Sequence, residues 1–433
     1  MSNRQRTSAE LAATESERMG TPFSRSCFLA VSLFICGVTP VCSQVMLRPD
    51  DSGQLVHPMP SDVVVLESDE PRKDIPCTVT PRKSELGFDL RFHSGYDVTL
   101  PLRELSGEGG MLSIIFRVAP EDDRNHSAYF VQHFRVPAID EDAKGDALLD
   151  GSVDIGEGRY HVDWLMRDQS EHICSATWTT EATLAPKDKP ISLFIHPNEV
   201  LQSTPEPFVN DSVAHASVAS DESLNVKLLV NFAPQNFNSP ALQRSDTEAL
   251  VSILKAIERD PHVSRIALVA FNMQEGRIVY RQNTSDNIDF PALGKALHTV
   301  KLGTVDVSKL GQKHSETGFL ETLIQEEVGT ASHPDAVIFA GPKAMLDADV
   351  PQEDLRRIGD IECPVFYMNY NLNPQAVPWK DAISHAIRAF KGTEYTISRP
   401  RDLWVSTTEM VNRIVRSKHQ HSASAATAGV GVQ

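Results

Sequence analysis

The chain lacks a lysine- or arginine-rich cluster to set against its acidity: 58 acidic residues face 41 basic ones, giving a net charge of -17. That balance argues against a nucleic-acid or anionic-membrane partner, since both need a basic face. A hydrophobic run long enough to cross a bilayer is also missing. The longest apolar stretch, CFLAVSLFICGV over residues 27–38, falls well short of the ~20 residues that a spanning helix requires. The six cysteines form no CxxC pair and no Cys/His cluster, so no structural zinc is expected. There is no G-x-S-x-G elbow, no P-loop, no G-x-G-x-x-G after a strand and no H-E-x-x-H, the spacings that mark common hydrolase, nucleotide and metalloprotease sites. Neither a catalytic residue nor a cofactor is expected.

What is present is an ordinary globular composition, 41% hydrophobic and 23% charged over 433 residues, long enough for two cores. The run at 27–38 follows Arg18 and Arg25 and is followed by Pro40, Val41, Cys42 and Ser43, the layout of a signal-peptide core with a small-residue cleavage site. Residues 1–43 therefore read as a signal peptide, and the product as periplasmic or secreted, with no transmembrane segment after cleavage. If the segment is retained, it tethers the protein to the membrane. Cys27, Cys36 and Cys42 leave with the signal. In an oxidising compartment Cys77 and Cys174, both in a β-rich region, are natural disulfide partners, whereas Cys363 lies in an apolar stretch and reads as a buried thiol.

Residues 44–60 are polar and read as a linker. Over 61–199 short β-rich runs recur, among them DVVVLE, MLSIIFRV, YFVQHFRV, RYHVDWLM, HICSATWT and ISLFI, separated by Gly, Pro, Asp and Asn. This is the pattern of an all-β sandwich. In one hairpin Tyr160, Val162 and Trp164 share a face, and Cys174, Ala176 and Trp178 share a face of the returning strand.

Residues 200–223 are rich in Ser, Pro and acids and read as an interdomain linker, and 419–433 as a disordered tail. Between them, over 224–418, apolar strands alternate with amphipathic helices. The expected elements are a strand at 228–232, a helix at 245–259, a hairpin turning at 272–276, helices at 290–300 and 317–328, strands at 336–340 and 364–369, a helix at 379–390, a strand at 394–398 and a helix at 402–416. The expected fold is therefore two-domain, an all-β sandwich followed by a doubly wound, Rossmann-like α/β domain with one antiparallel edge strand.

That element order resembles the von Willebrand factor A domain over about residues 225–417. ALVAFNMQEGRIVYRQ is similar to the family's second and third strands, and ETGFLETLIQEEV to the helix that opens with its metal-coordinating Thr. The resemblance implies a divalent metal held by hydroxyls and carboxylates. Its positions fall on Asn231, Ala233, Gln235, Thr317 and Gly341, so only the Thr is kept and no carboxylate remains. Metal-dependent adhesion is accordingly read as absent. The candidate binding residues are Asn231, Gln235, Asn238, Thr317 and Asn371, at the carboxyl ends of the strands where ligands of open α/β sheets bind. The expected partner is another protein or a cell-surface component, bound by a non-enzymatic adhesion or scaffolding protein. The alternative is an enzyme, a hydrolase whose catalytic groups carry no recognisable motif.

Overall fold

The computed structural model describes residues 44–47, 59–68, 70–204, 206–210, 223–236, 239, 241–300, 315–328, 334–346, 348–357, 361, 363–372 and 380–429. The expected signal peptide and Asn238 lie outside the described residues. The first elements are β1 (Val45–Leu47), α1 (Pro60–Leu66), β2 (Thr78–Leu86), β3 (Phe92–Pro101), β4 (Gly110–Pro120), β5 (Ala128–Val136), β6 (Asp146–Ile155), β7 (Gly158–Arg167), β8 (Ile173–Ala182) and β9 (Val200–Gln202). They build two antiparallel sheets, ordered β1-β5-β4-β7-β8 and β2-β3-β6-β9.

Alternation along the strands gives each sheet one apolar face, and the two faces meet. Tyr160, Val162, Trp164 and Met166 of β7 are buried against Val98 and Leu100 of β3 and Val153 and Ile155 of β6. Tyr96 stands edge-on to Phe116 and Trp164, with ring centroids 5.3 and 5.6 Å apart, a geometry that aromatic quadrupoles favour. The hairpin read from sequence is present, with Val162 opposite Trp178 and Met166 opposite Cys174. Cys77, just ahead of β2, is bonded to Cys174 of β8, so the disulfide joins one sheet to the other.

Two sequence expectations change here. DVVVLE, read as a strand, lies in α1, where Pro60 occupies the first turn. Proline is preorganised for that position, and Leu66 covers Ile115, Leu165 and Ile173 on the outer face of the five-stranded sheet. ISLFI (191–195) is not a strand. Its inward residues Ile191 and Ile195 are buried without strand pairing.

The remaining elements are β10 (Leu224–Asn231), α2 (Arg244–Glu258), β11 (Val263–Asn272), β12 (Arg277–Ser285), α3 (Phe290–Leu297), α4 (Ser315–Glu327), β13 (Ala336–Gly341), α5 (Gln352–Arg357), β14 (Val365–Tyr370), α6 (Ala382–Ala389), β15 (Thr393–Ile397) and α7 (Pro400–Gly429). Their sheet is mixed, in the order β12-β11-β10-β13-β14-β15, with β12 antiparallel to β11 and the other pairs parallel. In β10, Leu224, Val226, Leu228 and Val230 enter one core with Leu250, Ile253, Leu254 and Ile257 of α2, while Leu229 enters another with Leu320, Leu323 and Ile324 of α4. Lys227 also points to the α4 side. It is buried with its ammonium 2.7 Å from Glu327, a pairing that a buried charge requires.

The expected doubly wound, Rossmann-like domain is corrected. Among the described residues the chain is mostly β-sheet, with fifteen strands in three sheets and 26% helix. The sequence reading misplaced helix boundaries because it carried the helical period through whole interstrand segments at some positions and stopped it short at others. The helices expected at 290–300 and 379–390 shrink to eight residues each, whereas the six-residue α5 was not expected. The strands grow instead, to ten residues in β11 and nine in its hairpin partner β12. The sandwich-like character of the first nine strands stands. At the other end, α7 continues to Gly429, into the stretch read as a disordered tail.

The sandwich and the mixed sheet share side chains. Phe88 packs against the core beneath α2, and Trp404 of α7 packs against the sandwich core. Between them the Phe194 ring is flanked by two guanidinium groups, Arg91 at 4.4 Å and Arg259 at 4.1 Å from its centroid. Such cation–π contacts contribute about 0.5–1 kcal/mol each when exposed and more when desolvated.

Candidate functional site

The parallel strands β10, β13 and β14 place Asn231, Gly341 and Asn369 side by side at their carboxyl ends, with Gly341 directly paired to Asn369. Asn231 is 1% exposed, and its Oδ1 accepts the Met273 N–H at 3.1 Å. Gly341 has φ +152°, and a Cβ built there would lie 2.7 Å from the Asn231 Cβ and 3.0 Å from its carbonyl oxygen. Only glycine fits this close approach without displacement.

Gln235, in the loop after β10, reaches across to the loop after β14. Its Oε1 accepts the Leu372 N–H at 2.8 Å, and its Nε2 lies 3.4 Å from Asn371 Oδ1. The Asn371 N–H donates to the Ile397 carbonyl of β15. Thr317, in the first turn of α4, is buried and donates its hydroxyl to the Ala348 carbonyl at 2.7 Å. Gln235 and Asn371 are thus brought together, while Asn231 and Thr317 bond separate loops.

Sequence reasoning missed the hub of this region. Asp246, at the start of α2, accepts from the backbone N–H of Gln243 (3.1 Å) and of Gln235 (3.3 Å) and from the Tyr370 hydroxyl (3.1 Å). The first of these bonds caps the helix; the other two join β10, α2 and β14. Tyr370 is buried, and burial, reinforced by the Asp246 charge, pushes its hydroxyl pKa up. An acidic residue three positions past a helix start is the one local signal for such a hub. Tyr370 lies too far away in sequence to have been linked to it.

A second polar group adjoins the first. Asn369 is 0% exposed. Its Nδ2 donates to Glu394 Oε1 at 2.6 Å, and its Oδ1 is buried with no partner among the described residues. Glu394 also accepts the Ser384 hydroxyl at 2.5 Å. Asp381 caps α6. Its Oδ1 accepts from the N–H of Ala344 (3.1 Å) and of Ile383 (3.2 Å), whereas Oδ2 is buried and unpaired among the described residues. Burial, with Glu394 as a neighbouring like charge, raises the Asp381 carboxyl to about 6, so it is largely protonated in mildly acid solution.

Away from the strand ends, His93 of β3 sits between two carboxylates, Nδ1 2.8 Å from Asp154 and Nε2 3.0 Å from Asp89. Arg91 stands 3.3 Å from the other Asp154 oxygen. The three ligand-type groups of Asp89, His93 and Asp154 lie within 4.8 Å of one another, close enough for a cation. With both ring nitrogens facing carboxylates, however, the arrangement suits an imidazolium. Burial alone would lower the His93 pKa; the bonds to Asp154 and Asp89 outweigh it and carry the ring up to about 10. Two carboxylates are then balanced by two cations.

A small cavity lies elsewhere, between the sandwich sheets. It measures about 10 Å³ and is lined by Tyr96, Phe116, Val118, Val162 and Trp178 among others, room for about one water.

No family model matches the chain, and no curated protein matches it. Among solved structures, the chain is similar to proximal thread matrix protein 1 of the mussel byssus, at 12% identity and TM-score 0.26, over 44% of this chain and 44% of that one. It is also similar to a point mutant of the PilB minor pilin from Streptococcus sanguinis, at 7% identity and TM-score 0.27 over 87% and 88% of the two chains. A glycosyl hydrolase family 2 member from Bacteroides cellulosilyticus matches at 10% identity and TM-score 0.19, over 75% of this chain and 39% of that one. This chain therefore matches less than half the length of the mussel protein. Scores this low carry no argument about function, and the von Willebrand factor A resemblance remains a slight structural likeness.

Proposed function

We propose that the protein is an exported, non-enzymatic binding or scaffolding protein whose partner, a protein or cell-surface component, docks on the strand-end rim without a divalent metal. The observation that carries this reading is the contact between Gly341 and Asn231. A cation at the position the family would use needs carboxylate and hydroxyl oxygens free to face it. Here one position has no side chain and no space for one, the Asn231 and Gln235 carbonyls are taken by backbone N–H groups, and the Thr317 hydroxyl is turned to Ala348. The residues present do not fit the metal.

Export is supported by the Cys77–Cys174 bond, because structural disulfides persist in oxidising compartments. Outward contact falls to Met345 in the loop after β13, 44% exposed, and to the half-buried Asn371. An exposed apolar side chain beside a polar, weakly charged rim suits a protein interface more than a catalytic cleft.

The test presents the immobilised protein with extracellular-matrix proteins and cell-surface extracts, with and without chelator, and compares it with a Met345→Glu/Asn371→Ala variant. Binding that survives chelation and is lost in the folded variant supports the proposal. Loss of binding on chelation overturns the metal-independent reading, and full binding by the variant overturns the rim.

A further inference from the structure

The strand β1 is bound to both sheets of the sandwich. Its backbone pairs antiparallel with β5, placing Val45 opposite Val131, Met46 opposite Phe130 and Leu47 opposite Tyr129. Its other side is held by glutamine side chains. Gln44 Nε2 donates to the Ser152 carbonyl of β6 at 2.6 Å, and its Oε1 accepts the Ser152 N–H at 3.3 Å. From β9, Gln202 Oε1 accepts the Met46 N–H at 3.0 Å, and Gln202 Nε2 donates to the Gln44 carbonyl at 2.5 Å. Residues 44–47 therefore bridge the seam between the two sheets, joined to one by backbone and to the other by paired amides.

Burial contributes little to this attachment. None of the four residues is fully buried, Val45 is 48% exposed, and only Met46 packs against the sandwich core. A segment held by a few hydrogen bonds, each a modest net gain in water, opens locally at far lower cost than a core strand. Opening exposes the N–H and C=O groups of β5 at 129–131 and leaves Ser152 and Gln202 without their partners. Such an edge is a template for an incoming extended segment.

We propose that this seam is a strand-exchange surface, and that its partner is the 44–47 segment of a second copy of the chain. The seam is already fitted to that sequence. It needs a side-chain amide at the first position to satisfy Ser152 and an apolar residue at the third to fill the Met46 site. Leu47 and Met59, the next described residue, are twelve positions apart, a contour of up to about 40 Å, enough to reach a neighbouring molecule. Exchange between copies reproduces every bond of the closed form, so it adds no new interface and costs mainly association entropy. Because each copy both donates and accepts, the product is a closed dimer or an open chain. This proposal does not depend on the rim reading.

The test uses full chains in which Cys27, Cys36, Cys42 and Cys363 are replaced by Ser, leaving the native disulfide. One preparation carries Val45→Cys and the other Val131→Cys, residues that face each other across the β1–β5 pair. The two are mixed at increasing concentration, incubated and treated with a short thiol crosslinker. The expected result is a covalent species of twice the chain mass containing one chain of each kind, increasing with concentration. It forms faster when Gln202→Ala removes two of the ties. Crosslinking of the Val45→Cys/Val131→Cys double variant wholly within one chain, with no mixed dimer at any concentration, overturns the proposal. A mixed dimer that Gln202→Ala does not accelerate also overturns it, because contact would then not pass through this seam.

Discussion

Gly341 meets Asn231 so closely that a methyl group on the glycine would lie 2.7 Å from the asparagine Cβ. The contact joins the ends of β10 and β13 at the place where the family resemblance puts a carboxylate. Gly341→Ala should therefore destabilise the protein by about 1–3 kcal/mol, from overpacking and from a backbone angle that side chains avoid, measured by urea titration. Gly341→Asp should be at least as costly and should gain no magnesium- or calcium-dependent rise in melting temperature. A clear metal-dependent rise would show that a cation fits after all.

The Asp381 carboxyl gives a pH signature. The unfolded chain loses this proton near 3.8 and the folded protein holds it to about 6, so the fold binds more protons across that window and stability falls as pH rises through it. Asp381→Asn retains the oxygen that caps α6 and removes the buried charge. It should flatten stability between pH 4 and 6 and raise it at pH 7 by on the order of 1–3 kcal/mol. An unchanged pH profile would mean that the carboxyl is solvated.

His93 acts in the opposite sense. Its folded pKa of about 10 exceeds the ordinary 6.5, so its contribution is complete below pH 6.5 and is lost as pH rises toward 10. The imidazole is 41% exposed, so solvent screening tempers the effect. His93→Gln should reduce the decline in stability between pH 7 and 10 and leave Asp154 facing Arg91 alone. The same decline in wild type and variant would assign it to other groups.

Replacing Cys77 and Cys174 together by Ser should cost about 2–4 kcal/mol, because the bond closes a loop across 97 positions in the unfolded chain. Thiol labelling of the denatured, unreduced protein should modify Cys363 and neither of these two. Labelling at Cys174 would contradict the bond.

The sequence was most readable where a short period repeats. The β7–β8 hairpin followed from alternation alone, and the Cys77–Cys174 pairing from two cysteines in one β-rich region. The strands flanking the strand-end rim were legible as apolar runs. The balance of strand and helix was not, because an amphipathic stretch such as 290–300 shows the same period whether all of it coils or only eight residues do. DVVVLE misled through its β-branched residues, when the proline before it and the packing of Leu66 decide its conformation. β1 left no pattern, since three residues cannot display a period.

At the candidate site, the sequence singled out Gln235 and Thr317 through the family resemblance and Asn371 through its place after a strand, but not what they bond. The Asp246–Tyr370 bond spans 124 positions and the His93–Asp154 bond 61. Such pairs arise from strand register, which composition does not encode.

The packing of Phe88 and Trp404 has a consequence for how this protein can be divided. Each lies on one side of the junction and packs, partly buried, against the apolar interior of the other. Cutting the chain between Gln202 and Leu224 would therefore not release two finished pieces. It would leave each with an aromatic side chain stranded in water and a gap where its counterpart had been. A nicked protein should elute as one particle until denatured, and either piece made alone should be sticky. The aromatic exchange predicts that each half depends on the other for solubility.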